Sequence, residues 1–200
     1  MKKGLFEIVC VVDRSGSMGV IQAEVIASLN RFLDEQKAHP GEALLTFVQF
    51  DDVYEMTHGS VPIKDVPHFT PQTYQPRGLT ALLDAVGQTI DQVGISLSMM
   101  AEEKRPEKVL FAIITDGQEN ASKAYTREKV KAMIAHQTQK YSWDFVFLAA
   151  GPEAFAEAGG IGIKNVSAFA ANDPTAYRSA TQGLSDYTSS QRSGGDAQLN

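Results

Sequence analysis

The sequence predicts an α/β domain built on a doubly wound, mostly parallel central sheet, with one short antiparallel edge strand and helices on both faces. Three observations carry that expectation. Short apolar runs rich in β-branched and aromatic residues (LFEIVCVV, ALLTFVQF, VLFAIIT, WDFVFLAA) recur along the chain, and segments of helical periodicity separate them. VLFAIIT is continuously apolar, as a strand covered on both faces must be. Strands that alternate with helices pair in parallel through right-handed crossovers.

The elements follow in order. LFEIVCVV ends on Asp13 as the first strand; Lys2 and Lys3 ahead of it imitate a secretory leader, but Glu7 interrupts the apolar run and no small-residue cleavage site follows. Ile21, Val25, Ile26, Leu29, Phe32 and Leu33 repeat at three- and four-residue intervals and give a helix one apolar face. ALLTFVQF is the second strand, and Asp51-Asp52 reads as a solvated hairpin turn into VYEMT, the short edge strand.

A loop rich in Pro and His leads to a long helical pattern through Leu79, Leu82, Leu83, Val86, Ile90, Val93, Leu97 and Met100, with Gly94 a potential break. After VLFAIIT, Thr126 is positioned as an N-cap, with Tyr125 and Val130 spaced as a hydrophobic staple. WDFVFLAA is a further strand, PEAFAEAGG a short helix closed by glycine, and KNVSAF a last edge strand. Asp173-Pro174 opens a final helix to about Tyr187. One domain over residues 1–188 and a flexible polar tail over 189–200 follow, since TSSQRSGGDAQLN carries no apolar pattern.

Composition narrows the function. A 200-residue chain that is 43% hydrophobic supports one substantial core. Its net charge of -6, with no basic run, argues against nucleic acid as a partner. No stretch approaches the roughly 20 apolar residues of a membrane helix. The lone Cys10 sits in an apolar run as a small core residue, so a reducing, cytoplasmic setting is expected. His39, His58, His68 and His136 are scattered without metal-ligand spacing and read as surface residues.

Chemistry concentrates where strands end. In VCVVDRSGSMGV a carboxylate and two hydroxyls, Asp13, Ser15 and Ser17, stand where the first strand hands over to a helix. By itself DRSGS also suits a helix cap, and Asp116 before Gly117 also suits a plain turn. Open parallel sheets, however, bind ligands at the carboxyl ends of their strands. Asp116 in VLFAIITDG and Thr80 in RGLTAL reach the same edge. Five hard oxygen donors with no Cys or His suit magnesium, with manganese or calcium as alternatives. Tyr74 and Arg77, just ahead of Thr80, are expected at the rim.

DRSGSM, then Thr80 in GLTAL, then Asp116 in TDG resembles the metal-ion-dependent adhesion site of von Willebrand factor type A domains, the family that includes integrin inserted domains. The resemblance spans roughly residues 4–187 and holds at all five positions. It implies a Rossmann-like fold in which Ser15, Ser17 and Thr80 ligate the metal through hydroxyls while Asp13 and Asp116 act directly or through water. It also implies a non-enzymatic protein-binding module, whose partner presents Asp or Glu to an open metal position. A magnesium phosphohydrolase or phosphotransferase is the alternative, but such enzymes need a second carboxylate where Ser15 stands, and no phosphate-cradling glycine motif is present. The same domain also suits an accessory subunit of a separate ATPase.

Overall fold

The computed structural model describes residues 1–195 and Leu199. Six strands form one sheet: β1 (Lys2–Asp13), β2 (Glu42–Phe50), β3 (Tyr54–Pro62), β4 (Pro106–Thr115), β5 (Asp144–Ala150) and β6 (Asn165–Phe169). Their order is β3-β2-β1-β4-β5-β6. All neighbours pair in parallel except β3, which runs antiparallel to β2 at one edge. Among the described residues five α-helices accompany the sheet: α1 (Gln22–Ala38), α2 (Leu82–Met99), α3 (Arg127–Tyr141) and α4 (Ala154–Gly160) between strands, and α5 (Pro174–Arg192) after the last.

The central strands explain the unbroken apolar runs. Ile8, Cys10 and Val12 of β1 pack with Val25, Leu29, Leu33, Tyr177 and Leu184 on the face covered by α1 and α5. Val9 and Val11 point the other way, into the cluster of Val86, Ile90, Val130 and Ile134 from α2 and α3. β4 divides its residues alike, with Leu110, Ala112 and Ile114 on one face and Phe111 and Ile113 on the other. A strand buried on both faces has no polar side to alternate with. The chain leaves β1 for β2 on one side and later returns to β4 on the other. The crevice between those two strand ends is the topological switch point, the place where open sheets of this kind bind ligands.

The caps read from sequence are present. Thr126 Oγ1 accepts from the Lys129 amide at 3.2 Å, and Asp173 Oδ1 accepts from the Thr175 amide at 2.8 Å. Other expectations change. Gly94 does not interrupt α2, which is continuous from Leu82. Leu79 lies ahead of the helix and is exposed, because the segment 78–81 is drawn toward the sheet edge. The edge strand β3 is nine residues long; HGSVP continues the pairing to β2 across register shifts near Phe47. His58 is half-buried, packed edge-on between Phe47 and Phe69, and burial lowers its pKa.

The end of the chain also differs from expectation. Helix α5 passes Tyr187 and continues to Arg192 although its last turn is polar. The reason is a buried polar seam against α1. Gln36 is fully buried; its Nε2 donates to Ser189 Oγ at 3.0 Å, and Arg192 Nη1 donates to the Gln36 carbonyl at 2.7 Å. Hydrogen bonding across two helices leaves no hydrophobic period to read. Of the expected tail, residues 196–198 and 200 lie outside the described residues. Among the described residues no helix is long and apolar enough to cross a membrane.

Glu7 is a carboxylate in the middle of β1, only 1% exposed. Its carboxylate accepts hydrogen bonds from Thr46 Oγ1 and Ser60 Oγ, both at 2.7 Å. Burial nevertheless outweighs those bonds and raises its pKa. The folded state therefore holds this proton more tightly than the unfolded chain, so stability falls as pH rises through and above the unfolded carboxylate pKa. Glu7→Gln keeps the shape without the charge. Its urea midpoint should exceed that of the wild type at pH 8, with the gap narrowing toward pH 4; a gap that widens on acidification would contradict this account.

Candidate metal centre

Local sequence sets the first part of the site. Asp13 is the last residue of β1 and is completely buried. Its Oδ1 accepts from the Ser15 amide at 2.6 Å, turning the chain sharply after the strand, and its Oδ2 accepts from Thr115 Oγ1 at 2.6 Å. The Tyr74 hydroxyl donates to the Asp13 carbonyl at 2.7 Å. A 3₁₀ turn, Gly16–Ile21, then leads into α1. Ser15 occupies the N-cap position of that turn, but its side chain makes no capping bond. Instead the Ser15 and Ser17 hydroxyl oxygens lie 3.1 Å apart, and Ser17 Oγ donates to Asp116 Oδ1 at 2.7 Å.

Thr80 reaches the same place from the loop before α2. Its amide donates to Asn120 Oδ1 at 2.9 Å, and the Asn120 amide donates to the Thr80 carbonyl at 3.0 Å, so it is clamped to the segment after β4. Gly117 lies between them. A Cβ at that position would stand 2.9 Å from Thr80 Oγ1 and 3.7 Å from Asp13 Oδ2, so the bare backbone is what allows the close approach. Gly78, at φ +68°, accepts from the Gly16 amide at 3.2 Å and ties this loop to the first. Asp13, Ser15, Ser17 and Asp116 thus form one linked cluster, with Thr80 beside it across Gly117.

Burial dominates the electrostatics of the cluster. Burial, partly offset by the bonds from Thr115 and Ser15 and reinforced by the nearby Asp116, pushes Asp13 up to about 6. Burial likewise raises Asp116 against the bond from Ser17. Arg14 lies next to Asp13 in sequence but gives Nε to Asp51 Oδ2 at 3.1 Å and Nη1 to Glu55 Oε2 at 2.5 Å. Two desolvated carboxylates with hydroxyl neighbours and no basic partner are an environment that a cation would relieve. Among the described residues no three His, Cys, Asp or Glu side chains gather as a metal site. The donor set here is two carboxylates and three hydroxyls, which fits a hard divalent ion and leaves room for water or an outside ligand.

Several expectations are corrected. Tyr74 is fully buried beneath Asp13 and not at the rim. Asp51 is not a solvated turn residue. It is 1% exposed, and its Oδ2 accepts from Arg14 and, at 2.8 Å, from Arg77 Nε, so Arg77 is held there. The Asp51 carbonyl also accepts from the Ala81 amide at 3.0 Å. Asp51 therefore joins the β2–β3 turn to both loops that supply hydroxyls. Thr115 and Asn120 were missed; each sits within four residues of Asp116, and polar side chains crowded behind a strand end were the available signal.

Removing Asp51 leaves the buried Arg14 with the exposed Glu55 alone. Asp51→Ala should lower unfolding stability by about 3–5 kcal/mol in urea titration, the usual penalty for breaking a buried pair. A loss within experimental error would mean that the Asp51 ion pairs do not organise these loops.

No protein-family model matches the chain, and no curated protein matches it. Solved structures do. A von Willebrand factor type A protein from Catenulispora acidiphila aligns at 12% identity and TM-score 0.57, covering 90% of this chain and 41% of that one. The ArnB paralog VWA2 from Sulfolobus acidocaldarius aligns at 14% identity and TM-score 0.57, covering 89% and 44%. Proximal thread matrix protein 1 of the mussel byssus, solved with a zinc-occupied MIDAS motif, aligns at 16% identity and TM-score 0.60, covering 93% and 46%. The chain spans less than half the length of each of these proteins. At such identities the likeness speaks to architecture, and the architecture is the Rossmann-like fold of von Willebrand factor type A domains.

Proposed function

We propose that this chain is a divalent-metal-dependent protein-binding module, without enzymatic activity, that engages an acidic side chain of a partner. The observation that carries the reading is the cluster Ser15–Ser17–Asp116 built beside Asp13 and Thr80, with one buried and one half-buried carboxylate and no basic residue bonded to them. Ser15, Ser17 and Thr80 would hold the ion through their hydroxyls, and Asp13 and Asp116 directly or through water. Magnesium is the expected ion, with manganese or calcium accommodated by the same oxygens. When bound, it supplies a positive centre able to accept an Asp or Glu carboxylate from outside.

The chain's own residues do the positioning. Thr115 and the Ser15 amide fix the Asp13 carboxylate, Asn120 fixes Thr80, and Asp51 holds the two hydroxyl-bearing loops together. Ser17 is exposed and Asp116 half-buried while Asp13, Ser15 and Thr80 are buried, so Ser17 and Asp116 are the members of the set nearest solvent. The phosphohydrolase reading is less well supported: two residues after Asp13, where such an enzyme needs a second carboxylate, Ser15 lies against Ser17. The fold's comparisons support metal-dependent interaction in general terms, and a cytoplasmic setting and a separate ATPase as partner remain within the proposal.

Metal that binds only the folded state raises its stability, by about 2.7 kcal/mol at a hundredfold excess over Kd. Magnesium or manganese should therefore raise the melting temperature of the wild type and leave that of Asp13→Ala unchanged, with both proteins folded by circular dichroism. Equal responses would remove Asp13 from the metal site. In lysate, a partner should be captured by wild type in magnesium and lost both in EDTA and with Asp13→Ala; capture indifferent to all three conditions would overturn the proposed function.

A further inference from the structure

Three large apolar side chains stand exposed on the loops around the metal cluster: Val20 at 69%, Val53 at 52% and Leu79 at 57%. Each is close in sequence to a residue that builds the site. Val20 follows Ser17 in the same 3₁₀ turn, Leu79 directly precedes Thr80, and Val53 stands in the turn that Asp51 begins. Apolar residues scattered singly over a surface are ordinary, whereas apolar residues gathered at the edge of one site mark a place where another molecule is bound.

The three loops are lashed to one another. The Gly16 amide donates to the Gly78 carbonyl at 3.2 Å, and a Cβ on Gly19 would stand 3.8 Å from the Cβ of Pro76, so the turn carrying Val20 runs along the segment carrying Leu79. The Leu79 amide in turn donates to Asp52 Oδ1 at 3.4 Å, next to Val53, whose own amide donates to Asp51 Oδ1 at 2.5 Å. Each exposed apolar residue therefore makes, or adjoins, a contact that fixes its loop. From inside, the buried Asp51 holds the same loops through Arg14 and Arg77. A rim that is rigid before anything binds has little freedom left to lose when it is covered.

The rim is one-sided. In the sheet order β2, β1, β4, Val53 follows β2 and Val20 follows β1, with Leu79 bonded to the β2–β3 turn, while the exposed Gln118 and Asn120 follow β4 beside the half-buried Asp116. A ligand carboxylate directed at the metal thus has apolar surface on one flank and polar surface with a carboxylate on the other. A second acidic residue beside the first gains nothing from the apolar flank and is repelled by Asp116 on the polar one; an aliphatic or aromatic residue covers the apolar flank. We propose that the partner presents an Asp or Glu with a large apolar residue next to it in sequence, the acid directed at the metal and the apolar side chain covering Val20, Val53 and Leu79. This inference rests on the metal-dependent reading above and supplies the other half of the motif that the site recognises.

The test is a nuclear magnetic resonance titration of the chain in magnesium with three capped dipeptides: N-acetyl-Leu-Glu methylamide and its Gly-Glu and Leu-Gln counterparts. The Leu-Glu probe should shift the methyl signals of Val20, Val53 and Leu79 and bind about tenfold more tightly than Gly-Glu, the gain that partial burial of one leucine side chain supplies. Leu-Gln should not bind. Replacing the two exposed residues together, Val20→Ser with Leu79→Ser, should erase the tenfold preference and leave the magnesium-induced rise in melting temperature unchanged. Equal affinity for the two acidic probes, lost in EDTA, would overturn this inference and leave the metal reading standing. So would a magnesium-induced rise in melting temperature without binding of either acid, or a preference that survives the double substitution or EDTA. No magnesium response together with no acid binding would overturn both.

Discussion

The placement of Asp13 is the constraint on which the rest depends. A carboxylate at the end of a fully buried central strand loses its water, and the neighbouring Asp116 adds like charge. Such an arrangement persists only because surrounding groups over-determine it: Thr115 and the Ser15 amide on the two oxygens, Tyr74 on the carbonyl. Two packed faces of β1 hold the strand itself in place. The fold thus places a desolvated carboxylate, next to a second one, at its switch point, with hydroxyls and amides but no basic side chain bonded to them.

The loops around this point are tied to one another more than to the sheet. Asp51 links the segments carrying Ser15 and Thr80, Asn120 links Thr80 to the segment after β4 that carries Asp116, and Asp84 at the start of α2 accepts from the amides of Lys123, Ala124 and Tyr125. Displacing any one of them moves the others. The geometry of the hydroxyls is therefore a property of a network of side-chain-to-backbone bonds, of the kind that fixes ligands before anything binds. Arg14 ties the two loops from within, its backbone between Asp13 and Ser15 and its guanidinium on Asp51 and Glu55.

Much of this was readable from the sequence, and for physical reasons. Strands buried on both faces produce continuous apolar runs, amphipathic helices produce their three- and four-residue spacing, and a strand end at a switch point is where oxygen donors are useful; Asp13, Ser15, Ser17, Thr80 and Asp116 are singled out that way. What escaped depends on contacts between distant residues. Asp51 looks like a turn residue until Arg14 and Arg77 close on it, Tyr74 looks like part of a loop until its hydroxyl meets the Asp13 carbonyl, and the last turn of α5 looks like a tail until Gln36 and Arg192 pair across helices. Polar side chains that become buried by long-range hydrogen bonds leave no period along the chain.

The central claim is that these five oxygen-bearing residues hold one divalent ion. Anomalous X-ray scattering at the manganese edge, from crystals grown with manganese chloride, tests it most directly. The account predicts one peak at the end of β1, in coordination contact with the hydroxyl oxygens of Ser15, Ser17 and Thr80. A crystal saturated with manganese that shows no peak there, or shows its peak on other residues, would contradict it.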